Sequence, residues 1–289
     1  ARAPLEGRKI WLWCGLCTLA TALAMVSKFS MAVLPCFILL MWLVEFAVDG
    51  RAAELKKLAV PALAYLFLVF IALAAVYGFS QFRLYFEGLA ATAARLATGR
   101  PSFISGEHSM FGVWWYFPYA FLVKTPLSLL VFFAAGIGFS LNGGKKSHIW
   151  LYAPLILYFT FALGSKLQIG IRHILPALPF CIILAGSGAA VFLERKYLRW
   201  AAAFLLAWLF FSVARVHPYY LAYFNEAAGG PENGYKRHVD SNLDWGQDLK
   251  TLGAYLMKEG EPPVYLAYFG TARPEYYGIK YIPFGLYSD

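Results

Sequence analysis

Long apolar stretches separated by short polar ones set the pattern of this chain. Apolar blocks run over 10–26, 29–44, 58–80, 111–141, 149–165, 174–193 and 200–214, with Lys124 the one charge inside the longest of them. A membrane-spanning helix needs roughly 17–25 such residues. The pattern therefore predicts an all-α polytopic membrane bundle of about seven transmembrane helices. Arg8 and Lys9 precede the first block as in a signal peptide, but no small-residue cleavage site follows, so the block reads as a span.

Two regions depart from this pattern. Within the loop 79–110, Phe82–Leu96 carries apolar residues at helical spacing, with Arg83, Glu87 and Arg95 between them. That is an amphipathic helix lying on the membrane surface, ended by Gly99-Arg100-Pro101. From His217 onward the chain turns polar. Gly229-Gly230-Pro231 and Asn233-Gly234 signal turns, Asp240-Ser241-Asn242 can cap a helix over 243–258, and 263–269 reads as a strand. With one evident strand, 216–289 reads as a small, incomplete α/β segment outside the membrane. The domain division is thus a transmembrane helical domain over 1–215 and an extracytoplasmic segment over 216–289.

Composition supports the membrane reading. The 289 residues are 60% hydrophobic and 14% charged, with a mean hydropathy of +0.57. Soluble domains average about 25% charged residues. The net charge of +9 would suggest nucleic acid in a soluble protein. Here the basic residues alternate with apolar blocks and form no continuous patch, which argues against a nucleic-acid partner. With a cytoplasmic N-terminus, segments 1–9, 50–57, 143–148 and 194–199 hold Arg2, Arg8, Lys9, Arg51, Lys56, Lys57, Lys145, Lys146, Arg195, Lys196 and Arg199. The opposite loops are poorer in Lys and Arg. The positive-inside rule then puts residues 216–289 on the external face. Trp11, Trp13, Trp42, Trp114, Trp115, Trp150 and Trp200 fall near span ends, as an interfacial aromatic belt requires. Cys14, Cys17, Cys36 and Cys181 lie inside apolar runs and imply neither a disulfide framework nor a metal site.

The candidate chemistry lies in polar groups at membrane depth or on the external rim, where an unpaired charge is costly. Lys28, Lys124, Lys166, Arg172 and His173 all fall on that rim under this topology. Together they suit an anionic group, most simply a lipid phosphate. For each residue alone, snorkelling to headgroups is the competing reading. Glu107-His108 has the chemistry for proton transfer or a divalent cation, or for an ordinary hydrogen-bonded loop. The densest polar run, 240–248, brings Asp240, Asn242, Asp244 and Gln247 beside Trp245. That set can bind a sugar or cap a helix.

Four strings resemble bacterial glycosyltransferases of family 39, the protein-mannosyltransferase-like enzymes. They are 165–176 (SKLQIGIRHILP), 114–118 with Lys124-Thr125-Pro126, 223–226 (YFNE) with Gly229-Gly230-Pro231, and 240–249. Ser27-Lys28-Phe29-Ser30 is similar to that family's Lys-aromatic step between two spans. The resemblance implies a C-type membrane fold in the bacterial inner membrane. It implies transfer of a sugar from a polyprenyl-phosphate carrier to a periplasmic acceptor, with the lipid phosphate held by Lys28, Lys124, Lys166, Arg172 and His173. Glu107, His108, Asp240, Asn242, Asp244, Trp245 and Gln247 would serve the acceptor or the sugar, or hold structure. In that family the catalytic Asp lies in a loop after the first span. The chain is therefore expected to correspond to the C-terminal half, with no catalytic residue of its own and that Asp upstream of Ala1. The partners implied are membrane lipids, the carrier-linked sugar, and the N-terminal half or other membrane subunits. The alternative is a non-catalytic glycosyltransferase-like subunit of a larger complex.

Overall fold

The structure, a computed structural model, describes residues 7–50, 56, 59–142 and 149–284. Most of the basic positions on which the expected topology rests (Arg2, Arg51, Lys57, Lys145 and Lys146, and the side chains of Arg8 and Lys9) lie outside the described residues.

The apolar blocks form helices: α1 (Gly7–Ser27), α2 (Leu34–Val48), α3 (Ala59–Val76), then α4 (Arg83–Ala97). After a hairpin of β1 (Ser102–Ile104) and β2 (Glu107–Ser109) come α5 (Tyr116–Lys124), α6 (Leu127–Asn142), α7 (Ile149–Leu163), α8 (Leu178–Glu194) and α9 (Arg199–Ala214). Three helical stretches are long and apolar enough to cross a membrane, namely Phe29–Val48, Ala59–Val76 and Ile171–Glu194. The α5–α6 pair is a fourth if its two arms count as one span, and Leu12–Ser27, α7 and α9 are shorter apolar helices. The helices mark a membrane protein by length and composition. Of the seven blocks, three or four thus meet the length requirement.

The long block 111–141 is not one straight helix. It bends by 115° between Lys124 and Leu127. Pro126 supplies the reason: it has no N–H for the ladder and pushes Thr125 to an extended ψ of 134°.

α6 and α8 cross at small residues. A Cβ on Gly188 would lie 2.7 Å from the Gly136 nitrogen and would press on the Phe132 carbonyl. Phe132 and Ala185 are buried there with Ala202 and Leu205 of α9. A larger core joins Tyr116, Phe117 and Phe121 of α5 to Leu155 and Tyr158 of α7 and to Ile174 and Leu184 beside and within α8. α4 occupies the expected amphipathic segment, with Tyr85 buried against Phe29 and Tyr77.

The β1–β2 hairpin has no counterpart in the sequence reading. Its two-residue turn, Ser105-Gly106, has φ of +47° and +94°. Those signs match the favoured tight hairpin turn.

In the C-terminal segment, 240–242 forms a single 3-10 turn and α10 begins only at Leu249, running to Lys258. The expected helix start at 243 is displaced because Asp244 Oδ1 takes the Gly246 N–H (2.6 Å) and Gln247 Oε1 takes the Trp245 N–H (2.6 Å). Side chains that hold a turn compete with helix formation. Nor is the strand alone: β3 (Val264–Leu266) pairs in parallel with β4 (Tyr281–Pro283). Leu249, Leu256 and Ile279 form the small core beneath them.

Candidate functional site

Lys28 sits in the break between α1 and a 3-10 turn over Phe29–Val33, in extended conformation (φ −158°, ψ 126°). The break opens a cavity of about 350 Å³. Its walls are apolar: Phe29, Leu89, Phe117, Tyr158 and Phe161. Lys28, Ser30, Thr92, Ser165 and His173 are the polar residues in its lining. His173 Nε2 and Ser30 Oγ are buried without a hydrogen-bond partner. The His173 carbonyl accepts from Tyr158 Oη (2.9 Å), which fixes the turn carrying the ring. Arg172 is the neighbour in that turn, and its charge acts on both Lys28 and His173.

Arg172 ties the cavity to the rim. Its guanidinium lies over the Trp245 ring, 4.4 Å from the centroid. Asp240 and Arg100 act on it electrostatically. Asp240 lies 3.7 Å from Arg100 and holds a left-handed φ of +59°. An aspartate tolerates that conformation better than most residues, and such departures gather at functional sites.

The remaining expected residues are placed as follows. Lys124 points away from the cavity. Its amine donates to the carbonyls of Leu221 (2.7 Å) and Asn242 (2.6 Å) and lies over Phe224. Lys166 is exposed, with its amine 5.6 Å from the Phe111 ring centroid. Of the five expected phosphate contacts, the structure brings Lys28, Arg172 and His173 together, and Lys124 and Lys166 stand apart. Glu107 and His108 are exposed on β2, where His108 packs on Phe103. Among the described residues no group of His, Cys, Asp and Glu is placed to hold a metal ion.

Asn242 is fully buried. Its Oδ1 accepts from Ile171 N–H (3.0 Å) and its amide donates to Tyr116 Oη (3.0 Å). Asp244 and Gln247 hold the turn described above and leave Trp245 partly exposed against Phe269.

Two contributors escaped the sequence reading. Gln168 is buried; its Oε1 accepts from Val113 N–H (2.8 Å) and its amide donates to the Val113 carbonyl (2.6 Å), closing the base of the rim. His238 is buried among Tyr116, Tyr119 and Phe224. Burial pushes its imidazole down to about 4, opposed by the Phe103 main chain and reinforced by the Lys124 charge. Gln168 lay inside the singled-out string 165–176, but nothing in spacing distinguishes a rim-closing amide from its neighbours.

No family model, curated protein or solved structure matches the chain.

Proposed function

We propose that this chain forms the donor-binding part of a membrane glycosyltransferase that takes its sugar from a polyprenyl-phosphate carrier and works on the external face. The observation that carries the reading is the juxtaposition at one cavity: mostly apolar aromatic walls lined also by Lys28 and the half-buried His173, with Arg172 beside His173 in the same turn. A polyprenyl phosphate has that division, an apolar tail and a compact anionic head. Arg172 offers a planar fork of donors to phosphate oxygens, and Lys28 offers a point charge. In transfer the carrier phosphate is the leaving group. Fixed cations beside it stabilise the negative charge that develops there. His173 Nε2 is an unfilled polar contact for the same head. Trp245, with Arg172 on one face, supplies a ring near the rim for the sugar or the acceptor.

A second reading is a glycosyltransferase-like subunit without catalysis. Binding separates both readings from none. The full protein, purified in nanodiscs, is titrated with a polyprenyl phosphate. Arg172→Ala and Lys28→Ala are expected to lose binding by at least about tenfold, since charge-assisted bonds contribute roughly 1.5–3 kcal/mol each. Lys196→Ala, beyond the opposite end of α8, is expected to bind as wild type. Equal binding by all four proteins would sink the donor site. Sugar transfer by the complete assembly then divides enzyme from accessory subunit.

A further inference from the structure

The motif Asn225-Glu226 with Gly229-Gly230-Pro231 takes no part in the donor cavity. It builds a second pocket. The Asn225 amide donates to the carbonyls of Leu122 (2.6 Å) and Thr125 (2.8 Å), and its Oδ1 accepts the Ala228 N–H. Glu226 Oε1 accepts from Ser212 Oγ (2.6 Å) and Trp208 Nε1 (3.2 Å) on α9. Burial alone would raise the Glu226 carboxyl, but these hydrogen bonds and the Arg215 charge hold it below the usual carboxylate range. The loop is thus fastened to α5 on one side and to α9 on the other.

Gly229 and Gly230, with φ of +93° and +75°, carry the loop back over the end of α9. The Arg215 guanidinium rests against Gly230, where a Cβ would come within 3.2 Å of Nη2. Together with Tyr219 and Glu232 they line a pocket of about 540 Å³. Arg215 and Glu232 are both exposed to it, and among the described residues neither forms an ion pair.

The pocket therefore presents one cation and one anion at the end of an apolar helix, with tyrosines at its rim. Tyr219 and Tyr220 are exposed there, as residues at a headgroup level are. A purely anionic headgroup would meet repulsion from Glu232. A quaternary ammonium has no N–H to donate to that carboxylate. We propose that this pocket binds the headgroup of a phosphoethanolamine-type phospholipid, with its phosphate on Arg215 and its ammonium on Glu232. The proposal requires membrane embedding but not the donor reading, since the two pockets share no residue.

The test is lipid retention by the full purified protein. Phosphatidylethanolamine, phosphatidylglycerol and phosphatidylcholine are titrated in turn and bound lipid is counted by native mass spectrometry. Wild type is expected to favour phosphatidylethanolamine over phosphatidylglycerol by about fivefold, the worth of one charge contact near the membrane surface. Arg215→Gln should lose phosphatidylethanolamine and Arg215→Lys should restore part of it. Glu232→Gln should abolish the preference over phosphatidylglycerol. Equal retention of the three lipids by wild type, or unchanged phosphatidylethanolamine retention in Arg215→Gln, overturns the proposal. Arg215-dependent binding of soluble O-phosphoethanolamine without retention of the lipid also overturns it, by assigning the pocket to a free compound.

Discussion

Replacing Asn242 by Ala removes the side chain that fastens the C-terminal segment to the rim of the bundle. Asn242 is fully buried and engages Ile171 N–H and Tyr116 Oη, each at 3.0 Å. Alanine leaves both groups without that partner, and Tyr116 is itself 1% exposed. Each orphaned buried group costs about 1–3 kcal/mol. The void left by the amide gives water a route to them, so the sum is set at about 2–5 kcal/mol. At roughly 2–4 °C per kcal/mol for a chain of this size class, the expected fall in Tm is about 4–20 °C. Asn242→Asp is the informative partner. Its carboxyl keeps both contacts as an acceptor but puts a charge at a fully buried position, so it too should fall below wild type. The assay is thermal unfolding in one detergent at one scan rate, since unfolding of such proteins is commonly irreversible and rate-dependent. A Tm within about 1 °C of wild type for Asn242→Ala would show that the segment is not held through this residue. The reasoning from orphaned partners would then be wrong.

Three further outcomes are expected. Gly188→Ala must part α6 from α8 by at least about 0.7 Å, because its Cβ would lie 2.7 Å from the Gly136 nitrogen; overpacking of this kind costs about 1–3 kcal/mol. Gly186→Ala, two residues away on another face of the helix with nothing within 4 Å, should be neutral or slightly stabilising, and similar Tm values for the two variants would contradict the tight crossing. His238 is held neutral, its folded value near 4 against an ordinary 6.5. The unfolded chain therefore binds more protons than the folded one between those limits. The stability contributed by the neutral ring is complete above about pH 6.5 and falls as pH drops towards 4, by at most about 3 kcal/mol. His238→Phe should flatten the Tm between pH 7 and pH 4.5, and an unchanged slope would exclude His238 as its source.

Local pattern made some of this legible. The amphipathic run around Arg83, Glu87 and Arg95 declared α4 because its spacing is internal to one helix. Lys28 and the pair Arg172-His173 stood out because charges are scarce in so apolar a chain, and the structure brings those three together. Lys124 stood out for the same reason, yet its partners are main-chain carbonyls of Leu221 and Asn242, which no side-chain pattern encodes. The block 111–141 read as one span with Lys124 inside it; the bend of 115° at Thr125-Pro126 depends on what the second arm packs against. The β3–β4 pairing was hidden because a three-residue strand carries too little alternation to announce itself, and parallel pairing joins segments far apart in sequence. Asp244 and Gln247 read as ligands in a polar cluster; in the structure they bond the turn beneath Trp245.

The bend at Thr125-Pro126 also imposes an order on synthesis. The arm 116–124 is only roughly 14 Å long at 1.5 Å per residue, too short to cross a bilayer core of about 30 Å. It ends in a lysine whose second carbonyl partner lies 118 residues downstream. A ribosome adding about 5–20 residues per second delivers that partner some 6–24 s later. Through that interval the ammonium has to stay hydrated, so the arm waits at the interface while the following apolar helices are made. It settles only when the stretch ending at Asn242 arrives. Chains that stall before that point carry an unsatisfied cation beside the membrane, the kind of defect by which a quality-control protease can tell an unfinished polypeptide from a finished one.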